Sequence, residues 1–174
     1  MRAGIKIVTL NANTGKSALR YIANHGSEVD IFLIQEIRVI QTPGGDCRAT
    51  IFQAKLRRMG YKSVIAPAKV TAKGSSSGGV CIAWRGHLNV TSPEIICPHR
   101  AVGVVLHTHS ARDVFIASIY GDVEGTWKAQ EDLWRALAQA TAKKGKPFLW
   151  GGDWNLQSQG VAEVVGSLNI PGVP

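Results

Sequence analysis

The fold class predicted by this sequence is an α/β sandwich, with sheet faces covered by helices, and three observations predict it. Apolar strand-like runs alternate with helical patterns through the first third of the chain. Four short β-rich runs bounded by turn formers fill the middle. A long helical pattern and one further apolar run then lead to Asn155. With 174 residues and 45% apolar content, residues 1–174 read as a single domain, able to bury roughly 70% of the surface its unfolded chain exposes.

Taken in order, Ile5-Lys6-Ile7-Val8-Thr9-Leu10 reads as a strand, and Lys16 to His25 as a helix that Gly26 closes with a left-handed C-cap. Asp30 to Gln35 is nearly all apolar, the pattern of a strand covered on both faces. Asp46 suits the cap of a helix over Arg48 to Met59, with Ile51, Leu56 and Met59 near one face and Gly60 as its stop. Tyr61 to Ala66, Gly79 to Arg85, Ala101 to His107 and Asp113 to Tyr120 predict strands that pair consecutively and antiparallel.

The low-complexity stretch from Lys73 to Gly79 reads as an exposed loop rather than a domain linker. A helix follows from Trp127 to Lys143, with Trp127 and Trp134 two turns apart and Leu133 and Leu137 nearby as core residues. Pro147-Phe148-Leu149-Trp150 is the last strand, emptying through Gly151 and Gly152 into Asp153 and Asn155. After Asn155 only a weak helical pattern from Val161 to Leu168 is visible.

Charge narrows the function classes. Twenty Lys and Arg against twelve Asp and Glu give +8, which suits a polyanionic partner such as nucleic acid or an anionic membrane surface, or an ordinary basic surface. Cys47, Cys81 and Cys97 are odd in number and widely spaced, so neither a disulfide framework nor a zinc pattern is present. No apolar run reaches the ~18 residues of a membrane span, and no signal-peptide core follows Met1. An intracellular protein of the nucleus or cytoplasm, not secreted, is expected.

Four positions lie at or just past strand ends: Asn11, Glu36, Tyr120, and Asp153 with Asn155. One polar residue closing a strand is ordinarily a turn residue. Recurrence at four ends points instead to a shared crevice, where α/β sheets place their ligands.

These residues carry a resemblance. The runs Ile5 to Asn11, Ile34-Gln35-Glu36-Ile37-Arg38, Ser77-Gly78-Gly79-Val80, Ile119-Tyr120 and Gly152-Asp153-Trp154-Asn155 resemble, in order and spacing, the successive motifs of the endonuclease/exonuclease/phosphatase superfamily. That superfamily includes deoxyribonuclease I-like nucleases, apurinic and retrotransposon endonucleases, deadenylases, sphingomyelinases and inositol polyphosphate phosphatases. The pattern is nearest to the apurinic and retrotransposon-type endonuclease domains. The resemblance implies a deoxyribonuclease I-like sandwich of mixed, mostly antiparallel sheets flanked by helices, and hydrolysis of a phosphodiester in nucleic acid with magnesium (or manganese).

Within it, Glu36 is the expected metal ligand, since a hard cation that keeps several waters needs one or two carboxylates. Asn11 would support that metal without adding negative charge. Asp153 would orient the attacking water or accept its proton, with Asn155 and Tyr120 donating hydrogen bonds to the phosphate. Arg38 would contact a neighbouring phosphate, or stand solvated. A non-catalytic remnant that binds nucleic acid or a partner protein, and an inositol-phosphate or lipid phosphatase, are the competing functions.

Three departures qualify this. Complete members of the superfamily carry an Asp-His near their C-terminus, whereas nineteen residues follow Asn155 and hold no histidine. A C-terminally incomplete domain with weak or no activity is therefore expected, and so is a partner chain over its unfinished sheet. His25, His87, His99, His107 and His109 read as surface or structural residues. Asn13 stands where many of these nucleases carry an acid. A decoy must also be set aside: Asn13-Thr14-Gly15-Lys16-Ser17 looks like the end of a P-loop, but that pattern needs Gly at position 10, which is Leu.

Overall fold

The computed structural model describes residues 4–41, 48–72, 74–108, 112–121 and 127–155. Expectations for Cys47, His109, the Asp46 cap, the Trp127 side chain and the helix over 161–168 fall outside them. In chain order the elements are β1 (Ile7–Asn11), α1 (Gly15–His25), β2 (Ile31–Gln35), α2 (Arg48–Arg58), β3 (Tyr61–Ala66), β4 (Lys69–Val70), β5 (Ser76–Ser77), β6 (Val80–Arg85), β7 (Val90–Cys97), β8 (Ala101–Leu106), β9 (Val114–Tyr120), α3 (Trp127–Lys144) and β10 (Phe148–Asp153). One sheet has the order β1-β2-β6-β3, the other β10-β9-β8-β7, and β4 pairs with β5 alone.

Strand periodicity sorts the core into three layers. Phe32 and Ile34 of β2, with the small Cys81 and Ala83 of β6, pack against Ala18 and Ile22 of α1 and Phe52 and Leu56 of α2. Ile31 and Leu33 point the other way and meet Val102, Val104 and Ile116 of the second sheet. Phe115, Ala117 and Ile119 lie under Leu133, Trp134 and Leu137 of α3. The result is a helix, sheet, sheet, helix stack, the expected sandwich.

The pairing is only partly consecutive. β8 lies antiparallel to β9, and β6 to β3, but β6 also lies antiparallel to β2. β1 runs parallel to β2, and β10 parallel to β9. Each parallel pair brings two C-terminal strand ends to one place, and β1 and β10 are the outer strands of their sheets among the described residues.

Several local expectations are corrected. Gly26 has φ −62°, not a left-handed value, and the chain continues through a 3-10 turn over Gly26–Glu28. Its lack of a side chain serves packing, since a Cβ there would sit 3.2 Å from the Tyr61 hydroxyl, which donates to the Gly26 carbonyl at 2.8 Å. In α2 the buried face is Ala49, Phe52 and Leu56, while Ile51 is 44% exposed. The stretch before Val80 is not all loop, because Ser76–Ser77 forms β5 and Gly78 and Gly79 are buried. No described helix is long and apolar enough to cross a membrane.

Candidate functional site

The inward-facing residues of four strands turn polar toward one end of the sandwich. In β2 the series Ile31, Leu33 ends in Gln35; in β9, Ile116 is followed by Ser118 and Tyr120; in β1, Ile7 by Thr9 and Asn11. Register completes the tier: Asn11 lies opposite Gln35, and Asp153 opposite Tyr120. Because both pairs are parallel, all four C-terminal ends converge.

Just below the end, a buried polar bridge joins the two sheets. Gln35 Nε2 donates to Ser118 Oγ at 3.0 Å, and Thr9 Oγ1 donates to Gln35 Oε1 at 3.3 Å. Gln35 and Ser118 are 1% and 0% exposed, so the bond between them is shielded from water and costly to break, while Thr9 approaches from the exposed side. Neither Ser118 nor Thr9 was singled out from the sequence. The signal was a polar residue at an inward position of an apolar strand.

At the end itself, Asn11 Nδ2 donates to Asp153 Oδ2 at 2.6 Å and to Glu36 Oε1 at 3.3 Å. The Tyr120 hydroxyl donates to the same Glu36 oxygen at 2.7 Å, and Arg38 holds Glu36 Oε2 at 2.8 Å. Carboxylates from opposite sheets therefore share one neutral amide. Asn155 caps the arrangement: its backbone N–H donates to Asp153 Oδ1 at 3.1 Å and its Nδ2 to the Gly121 carbonyl at 2.8 Å. An open cleft of about 590 Å³ borders this set, lined by Asn11, Gln35, Asp153 and Asn155 among others.

Local backbone choices place these groups. Glu36 and Arg38 have φ of +52° and +50°, uncommon for residues with side chains and concentrated at functional sites. The segment is pinned by Ile37 N–H to the Gly79 carbonyl and Arg38 N–H to the Gly78 carbonyl, each at 3.1 Å. Gly78 and Gly79 themselves have φ of +74° and +85°, and a Cβ on Gly79 would come within 3.0 Å of Ile37. The Gly151-Gly152 pair lies within β10 and lets it press on its neighbours: a Cβ on Gly151 would reach 2.7 Å from Leu33, and one on Gly152 would collide with the Ile119 carbonyl. Trp154 then stacks on Trp134 of α3 with centroids 4.9 Å apart and planes 3° from parallel, anchoring the turn that carries Asp153 and Asn155.

Electrostatics follow from these contacts. Burial raises the Glu36 pKa, but hydrogen bonds from Arg38, Tyr120 and Asn11 outweigh it and leave the group below its ordinary value. The Tyr120 phenol is pushed up to about 12, by burial first and then by its bond to Glu36. Glu36 is thus a carboxylate and Tyr120 a hydrogen-bond donor across the neutral range. Two carboxylates, an amide and a water-accessible cleft match the oxygen chemistry of a hard divalent cation. Among the described residues no group of three or more His, Cys, Asp and Glu side chains is placed to hold a metal ion, so a cation here would rest on Glu36 with amide and water oxygens.

Of the residues predicted from sequence, Asn11, Glu36, Tyr120 and Asp153 form one hydrogen-bonded set with Asn155 beside it. Arg38 is on Glu36 itself rather than extended as a free arm. The P-loop decoy is a helix start, in which Thr14 caps α1 by accepting the Ser17 N–H at 3.1 Å. His99 bonds the Pro67 carbonyl and His107 bonds Asp113 and Thr91, so neither faces the cleft.

Comparison with known proteins places this arrangement. The sequence profile of the Endonuclease/Exonuclease/phosphatase family matches residues 8–160. The endonuclease domain of TRAS1, a telomere-specific non-LTR retrotransposon, superposes with a TM-score of 0.63 at 18% identity, over 94% of this chain and 72% of that one. The Xenopus laevis APE2 catalytic domain gives 0.63 at 17%, over 87% and 59%. An endonuclease/exonuclease/phosphatase family protein from Leptotrichia buccalis gives 0.61 at 16%, over 95% and 73%. At these identities the likeness is one of fold. No curated protein matches by sequence.

Proposed function

The chain belongs to the endonuclease/exonuclease/phosphatase family, and from that premise we propose that it is a nucleic-acid phosphodiester hydrolase dependent on magnesium (or manganese). The observation that carries this is the joining of Glu36 and Asp153, from opposite sheets, through Asn11. Glu36 would hold the cation, with Asn11 supporting it. When bound, the cation supplies charge neutralisation at the non-bridging phosphate oxygens and at the leaving oxygen.

The chain's own groups divide the remaining work. Asp153 accepts the proton of the attacking water as its oxygen bonds to phosphorus, and the bond to the leaving oxygen breaks. Asn11 and the Asn155 N–H hold the Asp153 carboxylate in place for this. Tyr120, kept protonated, and the Asn155 amide turn to donate to the phosphate as its charge redistributes. Arg38 screens Glu36 through their 2.8 Å ion pair and would contact a flanking phosphate. The net charge of +8 gives affinity for the backbone without base preference.

Slow turnover by these 174 residues is part of the proposal, because among the described residues Asp153 faces the cleft with no imidazole beside it. The same observation favours the alternative of a chain that binds nucleic acid without cleaving it. The outer edges of β1 and β10, where the 40% exposed Leu149 lies, are where a partner chain would add strands. The test is nicking of supercoiled plasmid with magnesium by the wild-type, Glu36→Gln and Asp153→Asn proteins, with folding checked by circular dichroism. Slow nicking lost in both variants is expected. Equal rates in all three would overturn the enzymatic reading, and salt-sensitive DNA binding without nicking would leave the binding alternative.

A further inference from the structure

A second groove, of about 750 Å³, lies where α1 meets α2 beside the segment after β2. Leu19, Phe52 and Met59 line its floor, with the half-exposed Ile51 at the rim. Five cations surround this apolar surface: Lys16 and Arg20 from α1, Arg48 and Lys55 from α2, and Arg38. No acid lines it among the described residues, and Lys16, Arg20, Arg48 and Lys55 make no ion pair there.

An apolar floor ringed by positive charge matches a ligand that is flat and uncharged at its centre and anionic around it. A nucleic-acid strand has that chemistry, with one phosphate per base. The volume falls within the roughly 300–1,000 Å³ of small-ligand sites, enough for an unpaired nucleotide and too little for a duplex. Arg38 links the groove to the site, since it lines the groove while its guanidinium holds Glu36, whose other oxygen accepts from Asn11 at the cleft.

We infer that this groove is a subsite for an unpaired nucleotide flanking the phosphodiester at the cleft. Its base rests on Leu19, Phe52 and Met59 against Ile51, and its phosphates are met by Lys16, Arg20, Arg48 and Lys55. The inference rests on the function proposed above for one point only, that the ligand is nucleic acid.

The test is fluorescence anisotropy, without metal, of a short labelled single strand and an abasic strand of equal length and charge. Wild-type protein is expected to prefer the intact strand by about five- to ten-fold, the scale of one seated base. Ile51→Asp, an exposed position, removes that preference while Thr91→Val, which lines neither groove nor cleft, keeps it. Arg20→Ala and Lys55→Ala weaken both strands alike and each flatten the salt dependence by about 0.7 in log–log slope. Equal binding of the two strands, or a preference that survives Ile51→Asp, overturns the inference. So does Ile51-dependent binding to phosphatidylserine vesicles in place of oligonucleotide. The two readings fail separately: base preference without nicking removes only the enzymatic one, and nicking without base preference removes only the groove.

Discussion

The sandwich carries a hydrogen-bonded carboxylate cluster at each end of β9, and the two are balanced differently. At the strand's start, Asp113 receives the His107 Nδ1 at 2.9 Å on one oxygen and the Lys146 ammonium at 2.7 Å on the other, while His107 Nε2 lies 2.7 Å from Thr91 Oγ1. By distance this resembles the hydroxyl, imidazole and carboxylate series of hydrolytic enzymes. Its charge, however, is already compensated, chiefly by Lys146, which holds the Asp113 pKa below its ordinary value. At the strand's end, Glu36 and Asp153 are joined by the neutral amide of Asn11, and one guanidinium, that of Arg38, holds Glu36 alone. The first cluster clasps a hairpin, and the second has negative charge left over for a cation.

The largest effect that separates the two ends is catalytic. Glu36→Gln or Asp153→Asn is expected to slow magnesium-dependent nicking on the order of 10²- to 10³-fold. Thr91→Val and His107→Gln should change it by no more than about two-fold, as surface substitutions do. Loss of nicking in His107→Gln would reverse the assignment of the two ends.

Stability gives the next contrast. Gln35→Ala strands Ser118 in the buried bridge and should cost about 1–3 kcal/mol in denaturant unfolding. Thr14→Ala, which removes the α1 cap, should cost about 1 kcal/mol. Asp113→Asn at the other end should cost less than the Gln35 change and vanish in high salt, as surface pairs do.

The smallest effects are in titration. Tyr120, raised from 10.0 to about 12, favours the protonated fold, so its contribution is full below pH 10.0 and lost as pH rises toward about 12. Glu36→Gln should lower that phenol's titration in ultraviolet difference spectra, because the carboxylate is one cause of the rise. Glu36 and Asp113 are both lowered, so their contributions are full above their ordinary values and lost as pH falls through the depressed ones. Salt should weaken the Asp113 part more than the Glu36 part.

Most strands were legible because burial leaves a plain pattern: β3 matches its apolar run, and β2 and β9 each begin one residue later than expected. β7 was missed because it is half exposed, carries Pro93, and alternates without a strong apolar face. The Ile51 and Gly26 readings failed for a tertiary reason, since helical spacing does not say which face a sheet covers, nor that Tyr61 lies against a glycine. At the site, Asn11, Glu36, Tyr120 and Asp153 were legible as polar residues ending strands. The bridge from Gln35 to Ser118 spans 83 residues of sequence, and only the meeting of the two sheets reveals it. Arg38 looked like a free cation because its partner required a left-handed turn at Glu36.

The central claim is that the cluster at the end of β9, and not the one at its start, recruits a divalent cation. Manganese binding followed by electron paramagnetic resonance tests it most directly, with wild-type, Glu36→Gln, Asp153→Asn and Asp113→Asn proteins. One ion is expected to bind the wild-type and Asp113→Asn chains alike, less tightly to Asp153→Asn, and not at all to Glu36→Gln. Undiminished binding by Glu36→Gln, or binding lost in Asp113→Asn, would contradict the account.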